Sequence, residues 1–251
     1  MTPIGARGDR PLEIGRVDAI FRYPVKSMRG EPLEAATLGW HGLDGDRRLA
    51  FRKLEDRGGF PWLTAGRLPA LMLFSPQRPD GGNADTAPTH VRTPEGHDLP
   101  TFGDALAADV GRRYGAPVEM MQLNQGIFDD AAISVIGAAT VEEIGRLAGV
   151  AADVRRFRPN VVVRSARGVP FEEDDWVGGV LTFGDGNEAP AVSVTRPDVR
   201  CAMVNIDPDG GPSAPDVLKA VVRANRNKAG VYGTSTRIGR LAVGQPVLLW
   251  R

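Results

Sequence analysis

Cysteine is almost missing from this chain of 251 residues: Cys201 stands alone. One thiol allows no intramolecular disulfide, no iron–sulfur cluster and no four-thiolate zinc. Histidine is scarce as well. His41, His90 and His97 show no paired ligand spacing, and none stands near Cys201 in sequence to complete a zinc site. Neither sign of charge is in excess, since Lys plus Arg and Asp plus Glu both number 31. A neutral chain lacks the basic surplus behind non-specific nucleic-acid binding, so no nucleic-acid partner is expected. Long apolar runs are missing too: MTPIGARGDRPLEIG has no apolar core of signal-peptide length, and no segment reads as a membrane span. The expectation is a soluble, cytoplasmic protein with its thiol reduced and no membrane partner.

What the chain has in quantity is glycine and proline, 31 and 20, placed between many short apolar runs. That pattern predicts a mixed α/β fold dominated by strands, in one large domain or two smaller lobes. RVDAIFRYP reads as a strand with Val17, Ala19 and Phe21 on one face, ending at Pro24 before the loop KSMRG. EPLEAATL, RRLAFRKL, ALMLFS, VEMMQL, AAISVIG and RLAVGQPVLLW are further strand candidates. SPQRPDGGNADTAPT reads as a mobile surface loop without chemistry. Three helices are predicted. FGDALAADVGRRYG carries Leu106, Val110 and Tyr114 on one face and can close at Gly115. ATVEEIGRLAG offers a capping box from Thr140 and Glu143, an apolar face of Ile144 and Leu147, and a stop at Gly149. PDVLKAVVRAN has Pro215 in its first turn and Leu218, Val221 and Val222 on one face.

No phosphate-binding loop, dinucleotide fingerprint or Gly-x-Ser-x-Gly elbow is present. QGIFDD reads as a solvated turn. The four acids of VPFEEDDW, read as a strand, point to alternate faces and cannot converge on one cation. There Asp174 is expected to accept backbone hydrogen bonds while Trp176 packs in the core, and Asp207 reads first as a turn former. Four polar or cationic loops remain, each beside a predicted strand: Lys26 with Ser27, Arg47 with Arg48, Arg155 through Arg158 with Asn160, and Arg200 with Cys201. They are either ordinary surface charge or the walls of a site for an anionic ligand. Cys201 likewise reads two ways, as a small buried hydrophobe or as a thiolate favoured by Arg196 and Arg200.

PVKSMRGEPLEAATLGWHGLDGDRRLAF resembles the β-barrel domain that opens many molybdenum cofactor sulfurase C-terminal (MOSC) proteins. RFRPNVVV, VPFEEDDW, FGDGNE and RPDVRCAMVNIDPDGG then follow in the order seen in MOSC domains, including the amidoxime-reducing members. The similarity spans roughly residues 14 to 250. It implies an N-terminal β-barrel-like domain over 14–115 and a MOSC β-barrel domain with a few helices over 116–251, with the ligand site between them.

The resemblance also implies a molybdenum cofactor, molybdopterin with its metal, in a chemistry independent of pyridoxal phosphate. Cys201 would be the metal ligand and catalytic residue, a soft sulfur donor that suits a thiophilic metal. Lys26, Ser27 and Arg47 would contact the pterin phosphate, Arg158 and Asn160 the pterin from the other side, and Ser134 would add a hydroxyl. Arg200 would either orient the cofactor or support its loop. The implied reaction is reduction of N-hydroxylated small molecules, with electrons from a separate reductase or ferredoxin-like protein. Two other readings stay open. Cys201 could carry a persulfide in sulfur transfer or carbon–sulfur chemistry, or the chain could carry the cofactor without turnover.

Overall fold

The computed structural model describes residues 10–56, 58–78 and 87–251. Among them sixteen strands accompany three α-helices, the strand-dominated mixture that the turn-rich sequence predicts. Seven strands close into a barrel in the order Leu12–Arg22, Val161–Ser165, Ile133–Gly137, Lys228–Arg237, Ala191–Val199, Val180–Phe183 and Pro246–Trp250, the last pairing with the first again. Closure leaves no free edge in the ring.

The first strand makes that closure possible. It is eleven residues long, and it pairs with Pro246–Trp250 near its start and with Val161–Ser165 further along. Gly15 sits where both partners meet, and a Cβ there would lie 2.3 Å from the Arg164 carbonyl oxygen. Only glycine permits that approach. The register shifts between Val17 and Ala19, which corrects the single apolar face expected for this strand. Val17 and Ile20 point into the barrel, whereas Ala19 and Phe21 pack against the outer helical layer, because a bulge adds one residue to a period of two.

The barrel core includes Val17, Ile20, Leu38, Val135, Val163, Phe183 and Leu249. A second core, with Met28, Phe51, Leu63, Phe74, Leu106 and Val110, gathers residues from 25 to 120. A third lies between the barrel wall and two helices, α2 (Ala138–Ala148) and α3 (Pro215–Asn225). The strand Ile133–Gly137 is buried on both faces, and α2 carries the chain over to its parallel neighbour Val161–Ser165.

Helix α1 (Asp104–Tyr114) matches its prediction, with Leu106 and Val110 fully buried and Gly115 closing it in the left-handed region at φ 86°. The other two helices are rotated from expectation. In α2 the buried stripe is Ala138, Val141, Ile144 and Gly145, and Leu147 is exposed; in α3 it is Val217, Ala220 and Val221, and Val222 is exposed. A step of 100° per residue makes one position enough to turn a side chain outward.

No capping box forms on α2, which begins at Ala138 directly after its strand. Thr140 instead donates to Glu173 and accepts the Phe171 N–H, and Glu143 pairs with Arg146. ALMLFS is not a strand: Pro69–Leu73 form a 3₁₀ helix whose Leu71 and Met72 turn inward, and proline in the first turn presets its φ. Of the expected loop SPQRPDGGNADTAPT, Ser75–Gln77 form a short strand, and residues 79–86 lie outside the described residues.

Glu172–Trp176 also form a 3₁₀ helix rather than a strand. Its acids spread around the axis, and no metal-holding group of three acids, histidines or cysteines occurs among the described residues. Glu173, not Asp174, takes the backbone hydrogen bond, from Gly230 at 3.1 Å; Asp174 accepts from the Asn225 side chain. Trp176 packs in the barrel core as expected. Among the described residues no helix is long and apolar enough to cross a membrane.

Candidate functional site

At one end of the barrel, where loops from the second core meet it, lies a cavity of about 350 Å³. Its wall contains Lys26, Ser27, Arg47, Ser134, Arg158, Asn160, Arg200 and Cys201. Every residue singled out from the sequence as a site residue is therefore in one cavity, although the segments that supply them are far apart in the chain. Arg48 and Arg155, members of the same cationic loops, do not line it.

Backbone conformation is unusual here. Ser27, Arg47 and Arg158 have φ of 67°, 50° and 52°, the left-handed region that ordinary residues rarely occupy. Half of the six non-glycine residues with positive φ among the described residues thus sit in this wall. Such conformations persist where surrounding contacts over-determine them, and they concentrate at functional sites.

Those contacts are specific. Lys26 is buried, and its Nζ donates to the Ile127 carbonyl at 3.0 Å and to Asp129 Oδ1 at 2.7 Å. Burial pushes the Lys26 amine below the usual lysine range, and Asp129 opposes that shift. Arg47 pairs with the fully buried Asp46 and donates to the Arg158 carbonyl at 3.0 Å. Arg158 donates from Nη1 to the Met28 carbonyl at 2.8 Å. The guanidiniums of Arg47 and Arg158 lie 4.6 and 4.2 Å from the centroid of the Tyr23 ring, a cation–π arrangement. Burial lowers Arg158 to about 10 and raises Tyr23 to about 12.

Asn160 braces the wall. Its side-chain oxygen accepts the Ser134 N–H at 3.1 Å and its amide donates to the Phe21 carbonyl at 3.3 Å. Arg200 supports its loop, donating to the carbonyls of Ala229 and Phe157 at 2.7 Å each. Its Nη2 lies 2.8 Å from Asp198 Oδ2 as an ion pair off hydrogen-bond geometry. Cys201 follows directly and is exposed, so the reading as a buried hydrophobe does not hold. The two cations expected to act on its thiol are committed elsewhere, Arg200 to Asp198 and Arg196 to Asp130.

Several wall residues escaped the sequence reading. Asp198 is buried; it accepts the Ser134 hydroxyl at 3.2 Å and a hydrogen bond from Tyr232. Burial raises its carboxyl above the usual range, against the pull of Arg200. Tyr232 is raised as well, by burial and then by Asp198. Asp129 and Asp130 of QGIFDD are not a free turn: they pair with Lys26 and Arg196 at the cavity wall. Asp207 does form its turn, accepting the Asp209 N–H, and it also pairs with the wall residue Arg156 at 2.9 Å. For Asp198 and Tyr232 only the three-dimensional pairing marks the residue, because a single acid or tyrosine in a strand carries no local signal.

The cavity combines a soft sulfur donor at its surface with buried cations, one of which, Arg158 Nη2, has no acceptor among the described residues. Such a donor set fits a ligand with a thiophilic centre and an anionic tail. Residues 104–248 match the family described as MOSC domain, and residues 14–122 match the MOSC N-terminal beta barrel domain. Mitochondrial amidoxime reducing component 2 of Bos taurus is 24% identical over an alignment of 294 residues that covers 96% of this chain and 85% of that protein. The crystal structure of the YuaD protein from Bacillus subtilis shares the fold, with a TM-score of 0.53, 13% identity and coverage of 96% of this chain and 97% of that one.

Proposed function

We propose that this chain, which belongs to the MOSC domain family, binds a molybdenum cofactor in the barrel-end cavity and reduces N-oxygenated small molecules there. Membership of the family and the similarity to an amidoxime reducing component support a function related to that cofactor. The observation that carries the reading is the convergence of Lys26, Ser27, Arg47, Ser134, Arg158, Asn160, Arg200 and Cys201 on one wall. The relative's name makes it one component of a reducing system, and this supports a separate electron-donor reductase or ferredoxin-like partner.

In this reading Cys201 Sγ is the protein's sulfur ligand to the metal. Lys26 Nζ, the Ser27 hydroxyl and Arg47 would hold the phosphate end, and Arg158 would contact the pterin from the other side. Asn160 and Arg200 keep the wall in place, and the Tyr23 ring supports two guanidiniums. When bound, the cofactor supplies two-electron reduction of an N–O bond. Asp198, whose carboxyl burial raises above the usual range, accepts the Ser134 hydroxyl at the cavity wall and keeps that side chain in place. The division into an N-terminal domain over 14–115 and a MOSC domain over 116–251, with a cytoplasmic location, completes the proposal.

The test is molybdenum content by elemental analysis, with released pterin by fluorescence, on wild type and Cys201→Ala from a host that makes the cofactor. Near-stoichiometric metal and pterin are expected in the wild type, with metal lost from the variant. Thermal stability should move by less than about 0.5 kcal/mol, since the residue is exposed. Loaded protein should then consume an N-hydroxylated base with a chemical reductant; no turnover would leave a cofactor carrier. Absence of metal and pterin, from a host that loads another molybdoenzyme, overturns the reading. The exposed thiol favours one alternative, a persulfide carrier, which mass spectrometry would detect as one added sulfur on Cys201.

A further inference from the structure

Behind the first cavity lies a second, of about 260 Å³, walled by Phe21, Tyr23, Arg29, Gly30, Pro32, Met72, Arg155, Arg158 and Pro208. Arg158 is the one residue that lines both. Two rings, a buried methionine and two prolines make the second space flat-sided and apolar, yet three guanidiniums face the same enclosure. Arg29 and Arg155 share Asp209, and Arg155 also pairs with Asp153. Arg158 has a carbonyl and a ring as partners, and among the described residues no carboxylate forms an ion pair with it. Arg29, Arg155 and Asp209 are part-exposed and solvated, so the buried charge without a paired carboxylate here is that of Arg158.

Unmet hydrogen bonding points the same way. Arg29 Nε and Arg158 Nη2 are buried donors without an acceptor among the described residues, and both side chains line this cavity. A ligand acceptor in this cavity would give these guanidiniums the partner they lack. The volume lies below the 300–1,000 Å³ or so typical of drug-sized pockets, so the acceptor belongs to a small molecule.

We propose that this second cavity binds a small monoanion with a flat apolar body, an aromatic carboxylate being the class. Its carboxylate accepts from Arg29 and Arg158, and its ring lies among Phe21, Tyr23, Pro32 and Met72. Because Arg158 lines both cavities, the proposal rests on its guanidinium serving this cavity as well as the first.

Methionine methyl groups report on the two cavities separately, Met72 on the second and Met203 on the first. The experiment is a ¹³C-methyl NMR titration of the full chain with benzoate, with benzamide as the neutral isostere and inorganic phosphate as an anion without an apolar body. Benzoate is expected to shift Met72 saturably and leave Met203 in place, benzamide to bind at least about tenfold more weakly, and phosphate to leave Met72 unmoved. Arg29→Met should weaken benzoate by about tenfold or more. A shift at Met203 instead of Met72, equal binding of benzamide, or no saturable shift overturns the proposal. If Arg29→Met does not fold, the wild-type titration decides alone.

Discussion

Replacing Glu173 by alanine tests how this fold is tied together. The side chain is fully buried, and it accepts from the Thr140 hydroxyl at 2.8 Å, from the Gly230 N–H at 3.1 Å and from the Gly137 N–H. Those donors belong to the first turn of α2, to the long strand Lys228–Arg237 and to the end of Ile133–Gly137. Truncation leaves two buried amides and a hydroxyl without their acceptor, each at about 1–3 kcal/mol, so Glu173→Ala should lose about 4 kcal/mol. Glu173→Gln keeps one acceptor oxygen and should lose about 1–2 kcal/mol. Urea unfolding at constant m-value measures both. Glu173→Ala within about 1 kcal/mol of wild type, or Glu173→Gln as damaging as alanine, would refute the three-point clasp.

Proton linkage gives the same residue a second signature. Burial raises the Glu173 carboxyl above the ordinary carboxylate range, against its hydrogen bonds. The unfolded chain therefore releases this proton at lower pH than the folded one. The contribution is fully present below the unfolded value and is lost as pH rises through the folded value. Asp198 acts in the same direction. Glu173→Gln should flatten the fall in stability between those limits.

Gly15→Ala places a Cβ 2.3 Å from backbone at the seam of the barrel, and it should cost about 1–3 kcal/mol in urea unfolding; a neutral result would mean the strand can shift. Asp129→Asn removes the carboxylate that opposes the effect of burial on Lys26, so the amine should titrate lower still, as read by Nζ NMR; an unmoved titration would deny the pair. In Tyr114→Phe the remaining tyrosines are Tyr23, at about 12, and Tyr232, also raised, so absorbance at about pH 10 should show little phenolate while the protein stays folded. Early phenolate would place one of them in water.

Sequence alone determined the class of fold and picked out eight residues that line one cavity. Short apolar runs between glycines and prolines dictate strands, because a period of two and frequent breakers leave little else. Ordered motifs single out Lys26, Ser27, Arg47, Arg158 and Cys201, since each is a loop residue with distinctive chemistry beside a strand. Tertiary structure alone decided which face each element presents. One bulge splits Val17 from Ala19 and Phe21, and a single helical step exposes Leu147 and Val222, changes too small for periodicity to resolve. It also decided the partners: Asp129 on Lys26, Asp198 beside Ser134, and Glu173 in the place expected of Asp174. Those pairings join residues from 33 to 103 positions apart, and such contacts exist only once the barrel has closed.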